Sequence, residues 1–134
     1  MNCYNLKGDI SLKTILLDED LQALYNLESK LSKISDLEIV GTYNNPYHTK
    51  EIILNTSIDV IFLETILLSL SGIVFAKQLK EINPNLQIVF VTAHEQYALD
   101  AFNVNALDYI LKPITDDRLA KTIQRLSKRS YKVT

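Results

Sequence analysis

The stretch IDVIFLETILLSLSG, residues 58–72, decides the fold of this chain and contains its most unusual residue. Its first part, DVIFLE (59–64), is a β-branched and aromatic run, typical of a strand buried on both faces of a parallel sheet. Glu64 has apolar neighbours on both sides. Because carboxylates are rarely buried without partners, Glu64 either points to water or ends a strand where a negative charge is required.

Strands and helices alternate on both sides of this stretch. Apolar runs predict strands at 13–18, 37–43, 59–64, 86–93 and 107–111. Helices are predicted from Leu21, from Pro46 over 46–55, after Ser71 as N-cap, over 95–103, and from Thr115. This alternation predicts an α/β fold, a (βα)5 doubly wound sheet of five parallel strands. Among the common strand orders of such sheets we select 2-1-3-4-5.

Polar residues stand where four of these strands end. In open α/β sheets the ligand crevice lies beyond the carboxyl ends of the strands. The residues in question are Asp18, Glu19, Asp20, Glu64, Thr92 and Lys112. Carboxylates suit Mg²⁺, while a hydroxyl and a lysine suit phosphoryl oxygens, so the set indicates Mg²⁺-assisted phosphoryl chemistry. Each residue alone also fits an ordinary turn, cap or loop, and the order of the set is its specific feature.

At this point the sequence resembles a response-regulator receiver domain of two-component signalling. The resemblance spans residues 13–128 and rests on ILLDED (15–20), DVIFLE (59–64), VFVTA (89–93) and LDYILKP (107–113). The segment 91–114 is similar to receivers that precede a LytTR-type DNA-binding domain. The family implies a flavodoxin-like five-stranded fold, a histidine kinase as phosphodonor, and an aspartate phospho-acceptor at the end of the third strand.

The resemblance implies roles for individual positions. Asp18 and Glu19 match the acids that hold Mg²⁺, together with Glu64 at the phospho-acceptor position. Mg²⁺ is the cofactor that the resemblance implies, and we expect its binding here to be weak or absent.

Five further positions match the family. Thr92 and Lys112 match the hydroxyl and the amine that contact the phosphoryl group, and Tyr109 matches the aromatic residue that rotates inward on activation. The bond between Lys112 and Pro113 is expected to be cis, and Gly72 fits the turn into the third helix.

The glutamate at position 64 changes the expected chemistry. Its extra methylene displaces the carboxylate by about 1.5 Å, and a misplacement of about 1 Å can cost about a hundredfold in an alignment-dependent reaction. The same extension moves a negative oxygen toward Thr92 and Lys112. The downstream pair is Leu67-Leu68, where the family usually has Met-Pro. We therefore expect an atypical, non-enzymatic receiver in which Glu64 acts as a partial phosphomimic.

Three alternatives stay open at this level. The chain could still accept phosphate, or Glu64 could neutralise Lys112 in an inert pocket. A flavodoxin-like binder of small ligands is disfavoured, because the first βα turn, DEDLQ (18–22), has no glycines to cradle phosphate.

Composition predicts one ordinary globular domain. The 134 residues are 47% hydrophobic and 22% charged with net charge −2, which indicates neither direct nucleic-acid binding nor membrane association. A single cysteine, Cys3, excludes an internal disulfide, and the expected location is cytoplasmic. We predict an N-terminal extension at 1–12, a receiver domain at 13–128, and a tail or linker start at 129–134.

The family also implies partners. We expect a histidine kinase or another signalling protein, an effector domain in a longer parent chain, and a homodimer through the fourth helix, fifth strand and fifth helix. Acids on this surface face a basic region, which predicts either acid–base pairs across a two-fold axis or a solvated helix face. The residues concerned are Asp100, Asp108, Arg118, Lys121, Arg125, Lys128 and Arg129.

Overall fold

The computed structural model describes residues 3–4 and 10–131, with side chains described from 11 to 126. Five strands of the sheet are β1 (Ile10–Leu17), β2 (Leu37–Tyr43), β3 (Val60–Leu63), β4 (Gln87–Thr92) and β5 (Asp108–Leu111). The helices are α1 (Leu21–Leu31), α2 (Pro46–Asn55), α3 (Gly72–Ile82), α4 (Ala98–Asn103) and α5 (Asp116–Tyr131).

These five strands are parallel and lie in the order 2-1-3-4-5, which confirms the predicted topology. The register aligns their carboxyl ends: Leu17 pairs with Leu63, Leu63 with Phe90, and Phe90 with Tyr109. Residues that follow these strands are therefore brought to one edge of the sheet, where ligands bind in such folds.

Two hydrophobic clusters cover the two faces of the sheet. Successive strand residues alternate between them, as the pleat requires: Leu16 packs in the cluster with α1 and α5, whereas Ile15 and Leu17 pack in the cluster with α2, α3 and α4. β3 is buried along its whole length, because both faces are covered. This explains why its sequence is continuously apolar.

Side-chain caps start three helices. Asp20 accepts from Gln22 N and Ala23 N, Asn45 accepts from Tyr47 N and His48 N, and Ser71 accepts from Ile73 N and Val74 N. The predicted Ser71 cap is confirmed, as is Pro46 at the start of α2. The peptide bond between Lys112 and Pro113 is cis, as expected.

The start of the chain differs from the prediction. β1 begins at Ile10, three residues earlier than predicted, because a two-residue strand, Cys3–Tyr4, pairs antiparallel with Ile10 and Ser11. Residues 1–2 and 5–9 of the predicted extension and 132–134 of the predicted tail lie outside the described residues. α5 runs to Tyr131, so it includes the first residues of that tail.

The fourth helix is shorter than predicted. It begins at Ala98 rather than at residue 95 and has no side-chain cap. The backbone N–H of His94 donates to Thr92 Oγ1 (3.2 Å), and its carbonyl accepts from the Tyr109 hydroxyl. Because the N–H and the carbonyl of His94 bond to side chains of β4 and β5, the chain continues as a turn before the helix begins.

Gly72 allows α3 to start directly against the end of β3. A Cβ at this position would lie 2.0 Å from the carbonyl oxygen of Glu64, which no side chain tolerates. The Gly72 N–H donates to the carbonyl of Thr65 at 2.7 Å, and Ser71 pairs with Ile66. This close approach holds the backbone of residues 64 and 65 in place.

Candidate functional site

Lys112 lies between two carboxylates at the sheet edge. Its Nζ is 2.8 Å from Asp18 Oδ2 and 3.1 Å from Glu64 Oε1. These groups follow β1, β3 and β5, and the carboxylate side chains are 10% and 11% exposed. Of the predicted cleft that joins Lys112 with Asp18, Glu19 and Glu64, the contacts of Lys112 with Asp18 and Glu64 are present in the fold.

The protonation states support this ion-pair arrangement. Burial would raise the pKa of Glu64, but the nearby Thr92 hydroxyl, the ammonium of Lys112 and the N–H of Thr65 hold the pKa below its ordinary value. Burial would lower the pKa of Lys112, but the carboxylates of Asp18 and Glu64 raise it. Glu64 is consequently an anion and Lys112 a cation at neutral pH.

The second oxygen of Glu64 points back to the next residue. Glu64 Oε2 accepts from Thr65 N at 2.6 Å and lies 3.2 Å from Thr65 Oγ1. Thr65 Oγ1 is 2.9 Å from Thr92 Oγ1, and both threonines are buried. Thr92 is thus brought to the site, with Thr65 hydrogen-bonded to both it and Glu64.

Tyr109 lies on the same side of the sheet as this group. Its ring packs against Phe90, with ring centroids 6.1 Å apart, and its hydroxyl donates to the carbonyl of His94. Burial raises the pKa of Tyr109, and the negative charge of Glu64 also raises it. The hydroxyl therefore stays protonated and acts as a donor.

Glu19 is separate from this cluster. Its carboxylate accepts from the backbone N–H of Leu68 in the loop between β3 and α3. The remaining oxygen of Asp18, Oδ1, accepts from Asp20 N at 2.9 Å. The two predicted acids after β1 therefore have different partners.

The arrangement does not match a Mg²⁺ site. Within residues 3–4 and 10–131, no group of three or more His, Cys, Asp or Glu side chains is placed to hold a metal ion. The charge between Asp18 and Glu64 is the ammonium of Lys112, whereas Mg²⁺ needs near-octahedral oxygen ligands. The expectation that Mg²⁺ binds weakly or not at all stays a prediction.

Asp108 has partners within its own chain. Its carboxylate accepts from Arg118 (2.6 and 2.9 Å), Arg125 (2.6 Å) and Thr122 (2.6 Å). Of the two alternatives predicted for this surface, the acid–base pair between Asp108 and a second copy is therefore corrected, because α5 packs its arginines onto the start of β5 within the same chain.

Among the other residues of the predicted acid–base surface, Asp100 and Lys121 are exposed. The side chains of Lys128 and Arg129 lie outside the described residues.

The sequence analysis missed Thr65 as a site residue. Its hydroxyl is the group that contacts both Glu64 and Thr92. The available signal was a threonine in an otherwise apolar run, directly after the unusual glutamate. A hydroxyl in that position is buried with the strand end and needs a polar partner.

Comparisons with known proteins show the family of the chain. The model of the response regulator receiver domain matches residues 15–124. The sensory transduction protein LytT of Bacillus cereus is 35% identical over 118 residues, which cover 88% of this chain and 48% of that protein. The transcriptional regulatory protein YpdB of Escherichia coli is 31% identical over 115 residues, covering 86% of this chain and 47% of YpdB.

A solved structure is also similar. The response regulatory domain of protein mrkE from Klebsiella pneumoniae superposes with a TM-score of 0.81 at 30% sequence identity, covering 88% of this chain and 97% of that one. The chain belongs to the response regulator receiver domain family and is a signalling module of the two-component type.

The chain spans about half the length of its relatives LytT and YpdB. Among the residues that the structure describes, no helix combines the length and the apolar character needed to cross a membrane.

Proposed function

We propose that this receiver domain signals without a phosphorylation cycle, with the Glu64 carboxylate as a partial substitute for a phosphoryl group. One observation carries the proposal: Glu64 bonds Lys112 with one oxygen and contacts Thr65, next to Thr92, with the other. The family resemblance assigns Lys112 and Thr92 to a phosphoryl group; Glu64 bonds Lys112 directly and is linked to Thr92 through the Thr65 hydroxyl. The substitute is partial, because a carboxylate carries one negative charge and a phosphate about 1.5 to 2.

The same contacts oppose phosphate acceptance. Attack on a phosphodonor needs a carboxylate oxygen aligned with phosphorus, and each hydrogen bond to that oxygen restricts how it can align. Oε1 of Glu64 is engaged by Lys112 at 3.1 Å, and Oε2 by the Thr65 N–H at 2.6 Å. An aspartate would end about 1.5 Å further back along the side chain and could not keep both contacts.

The position of Tyr109 supports an active-like bias. The family resemblance links activation to an inward aromatic side chain at this position. Here the Tyr109 ring packs on Phe90, and its hydroxyl bonds the carbonyl of His94. We propose that the charge of Glu64 favours this orientation.

The experiment compares wild type with Glu64→Asp and Glu64→Gln. Each protein is incubated with acetyl phosphate and Mg²⁺ and analysed by intact mass. We expect no phosphoryl adduct on wild type or Glu64→Gln and an adduct on Glu64→Asp. An adduct mapped to Glu64 in wild type would show a phosphorylation-competent receiver and overturn the proposal.

A second measurement separates a phosphomimic from an inert pocket. The environment of Tyr109 is followed by NMR in wild type, Glu64→Asp and Glu64→Gln without phosphodonor. We expect both variants to move Tyr109 away from its wild-type environment. Three identical Tyr109 environments would show that Glu64 only neutralises Lys112.

The proposal extends to the partners of the chain. The relatives LytT and YpdB are about twice as long as this chain, and YpdB is named as a transcriptional regulator. This supports an effector domain in a longer parent protein, which acts on transcription in the cytoplasm. An open groove of about 640 Å³, lined by Lys30, Lys33 and Lys112, supports docking of a histidine kinase or another signalling protein beside the site. Catalysis is no part of this function, and Mg²⁺ is at most weakly bound.

We include a symmetric dimer through α4, β5 and α5 in the proposal. Leu99 and Phe102 of α4 are 70% and 76% exposed, and Leu111 at the end of β5 is 44% exposed. Adjacent exposed apolar side chains are typical of interaction sites. Since Asp108 is paired within its own chain, the contact would depend on these apolar residues more than on acid–base pairs.

A further inference from the structure

Thr65 occupies a position between Glu64 and Thr92 that the family resemblance does not assign. Its side chain is buried, and its Oγ1 lies 3.2 Å from Glu64 Oε2 and 2.9 Å from Thr92 Oγ1. One hydroxyl thus touches both the unusual glutamate and the predicted switch threonine.

The backbone of Thr65 leaves this hydroxyl little freedom. Its N–H donates to Glu64 Oε2 at 2.6 Å, and its carbonyl accepts from Gly72 N at 2.7 Å. A β-branched side chain has few χ1 rotamers even in an open environment. The hydroxyl is therefore held in place by the contact between the end of β3 and the start of α3.

Counting protons gives the hydrogen bonds a direction. Ionised Glu64 can only accept, and a threonine hydroxyl can donate once. When Thr65 donates to Glu64, Thr92 must donate to Thr65, and Thr92 Oγ1 accepts from the N–H of His94 at 3.2 Å. All donors then point toward the carboxylate, and such chains strengthen through mutual polarisation.

We propose that Thr65 is a positioning residue that couples the charge of Glu64 to the hydroxyl of Thr92. The inference rests on the proposed function and deepens it, because it identifies the group through which Glu64 acts. A neutral residue at position 64 could donate to Thr65 and reverse the chain. The proton of Thr92 would then turn away from Thr65, and the His94 segment that holds Tyr109 would lose its fixed orientation.

The experiment measures this coupling by NMR. The threonine methyl groups and tyrosine rings are ¹³C-labelled, and the Thr92 and Tyr109 signals are followed in wild type, Glu64→Gln, Thr65→Val, and the double variant. Thr65→Val keeps the shape of the side chain and removes the hydroxyl. We expect Glu64→Gln to shift both signals in the wild-type background, and at least about threefold less in the Thr65→Val background.

Two further variants serve as controls. Thr65→Ser keeps the hydroxyl, so the response to Glu64→Gln should return. Thr49→Val removes another buried hydroxyl, which bonds the carbonyl of Asn45 within α2, and should leave the response unchanged. A role of Thr65 in stability alone would not produce this pattern.

The outcomes are distinguishable. If Glu64→Gln shifts the Thr92 and Tyr109 signals fully in the Thr65→Val background, Thr92 responds directly to Glu64 and this inference is overturned while the proposed function stands. If Glu64→Gln shifts neither signal in the wild-type background, the proposed function itself fails, and the inference fails with it. Should Thr65→Val not fold, loss of the response in Thr65→Ala with recovery in Thr65→Ser would support the coupling, and a full response in Thr65→Ala would overturn it.

Discussion

Neutralising Asp108 should destabilise the domain by a predictable and pH-dependent amount. Its side chain is 4% exposed and is bonded by two arginines and a threonine of α5. Burial alone would raise the pKa of Asp108, but hydrogen bonds from Arg118, Thr122 and the Tyr109 N–H lower it from 3.8 to about 2. A pKa difference of this size corresponds to about 2 kcal/mol of folding free energy at neutral pH.

The direction with pH follows from proton binding. The folded-state pKa lies below the unfolded value, so this stabilisation is complete above pH 3.8 and is lost as the pH falls toward 2. Integrated over this range, about half of it remains at pH 3. An asparagine at position 108 cannot ionise, so the variant should lack this contribution at every pH.

The assay is urea unfolding of wild type and Asp108→Asn at intervals from pH 7 to pH 3. The free energy of unfolding of Asp108→Asn should be lower by about 2 kcal/mol or more at pH 7, and the difference should shrink by about 1 kcal/mol by pH 3. Subtracting the two curves removes the contributions of other carboxylates. Asp100→Asn, at an exposed position on α4, is the matched control. A difference that stays constant with pH would refute the assignment of Asp108 as a buried anion.

Two further variants test the site scaffold and the proposed dimer. Alanine usually stabilises helices, but Gly72→Ala should lower the free energy of unfolding by about 2 kcal/mol, because its Cβ would meet a backbone oxygen at 2.0 Å. In the control Gly41→Ala the new Cβ meets a movable tyrosine side chain, so urea unfolding should show a smaller loss of stability; equal losses would contradict the argument. Replacing both Leu99 and Phe102 by Ser should shift the protein to monomer, measured by sedimentation at rising concentration. The control Leu54→Ser, at an exposed position on α2, should not change the oligomeric state. An unchanged dimer in the double variant would exclude this surface as the dimer interface.

Local chemistry explains why much of the fold was predictable. The apolar runs of β3 and β4 must be buried on both faces, so the lack of apolar–polar alternation indicates parallel strands directly. Asn45 is a good N-cap residue, and Pro46 suits the first turn of a helix; the predicted bounds of α2 agree with the structure. The predicted start of the fourth helix was wrong: next to it, the backbone N–H of His94 bonds the nearby Thr92 and its carbonyl bonds Tyr109 of β5, and the helix begins only at Ala98.

Part of the candidate site could also be predicted from the sequence, and part could not. Because parallel strands end at one edge, Asp18, Glu64 and Lys112 could be placed together from their positions in the sequence. Glu19 could not be separated from Asp18, since its partner is a backbone N–H of a loop 49 residues away. The orientation of a side chain depends on donors that the sequence does not place.

The amino-acid sequence by itself determined the alternation of strands and helices and the charged residues at the sheet edge, because these follow from burial patterns and from where strands end; the family followed from the resemblance of its motifs. The tertiary structure alone decided which donors meet each carboxylate: Lys112 and Thr65 at Glu64, and the arginines of α5 at Asp108. The physical reason is that the two effects depend on different features of the chain. Burial acts on every residue of an element, whereas a hydrogen bond needs atoms about 3 Å apart, and only the packed chain brings such atoms together.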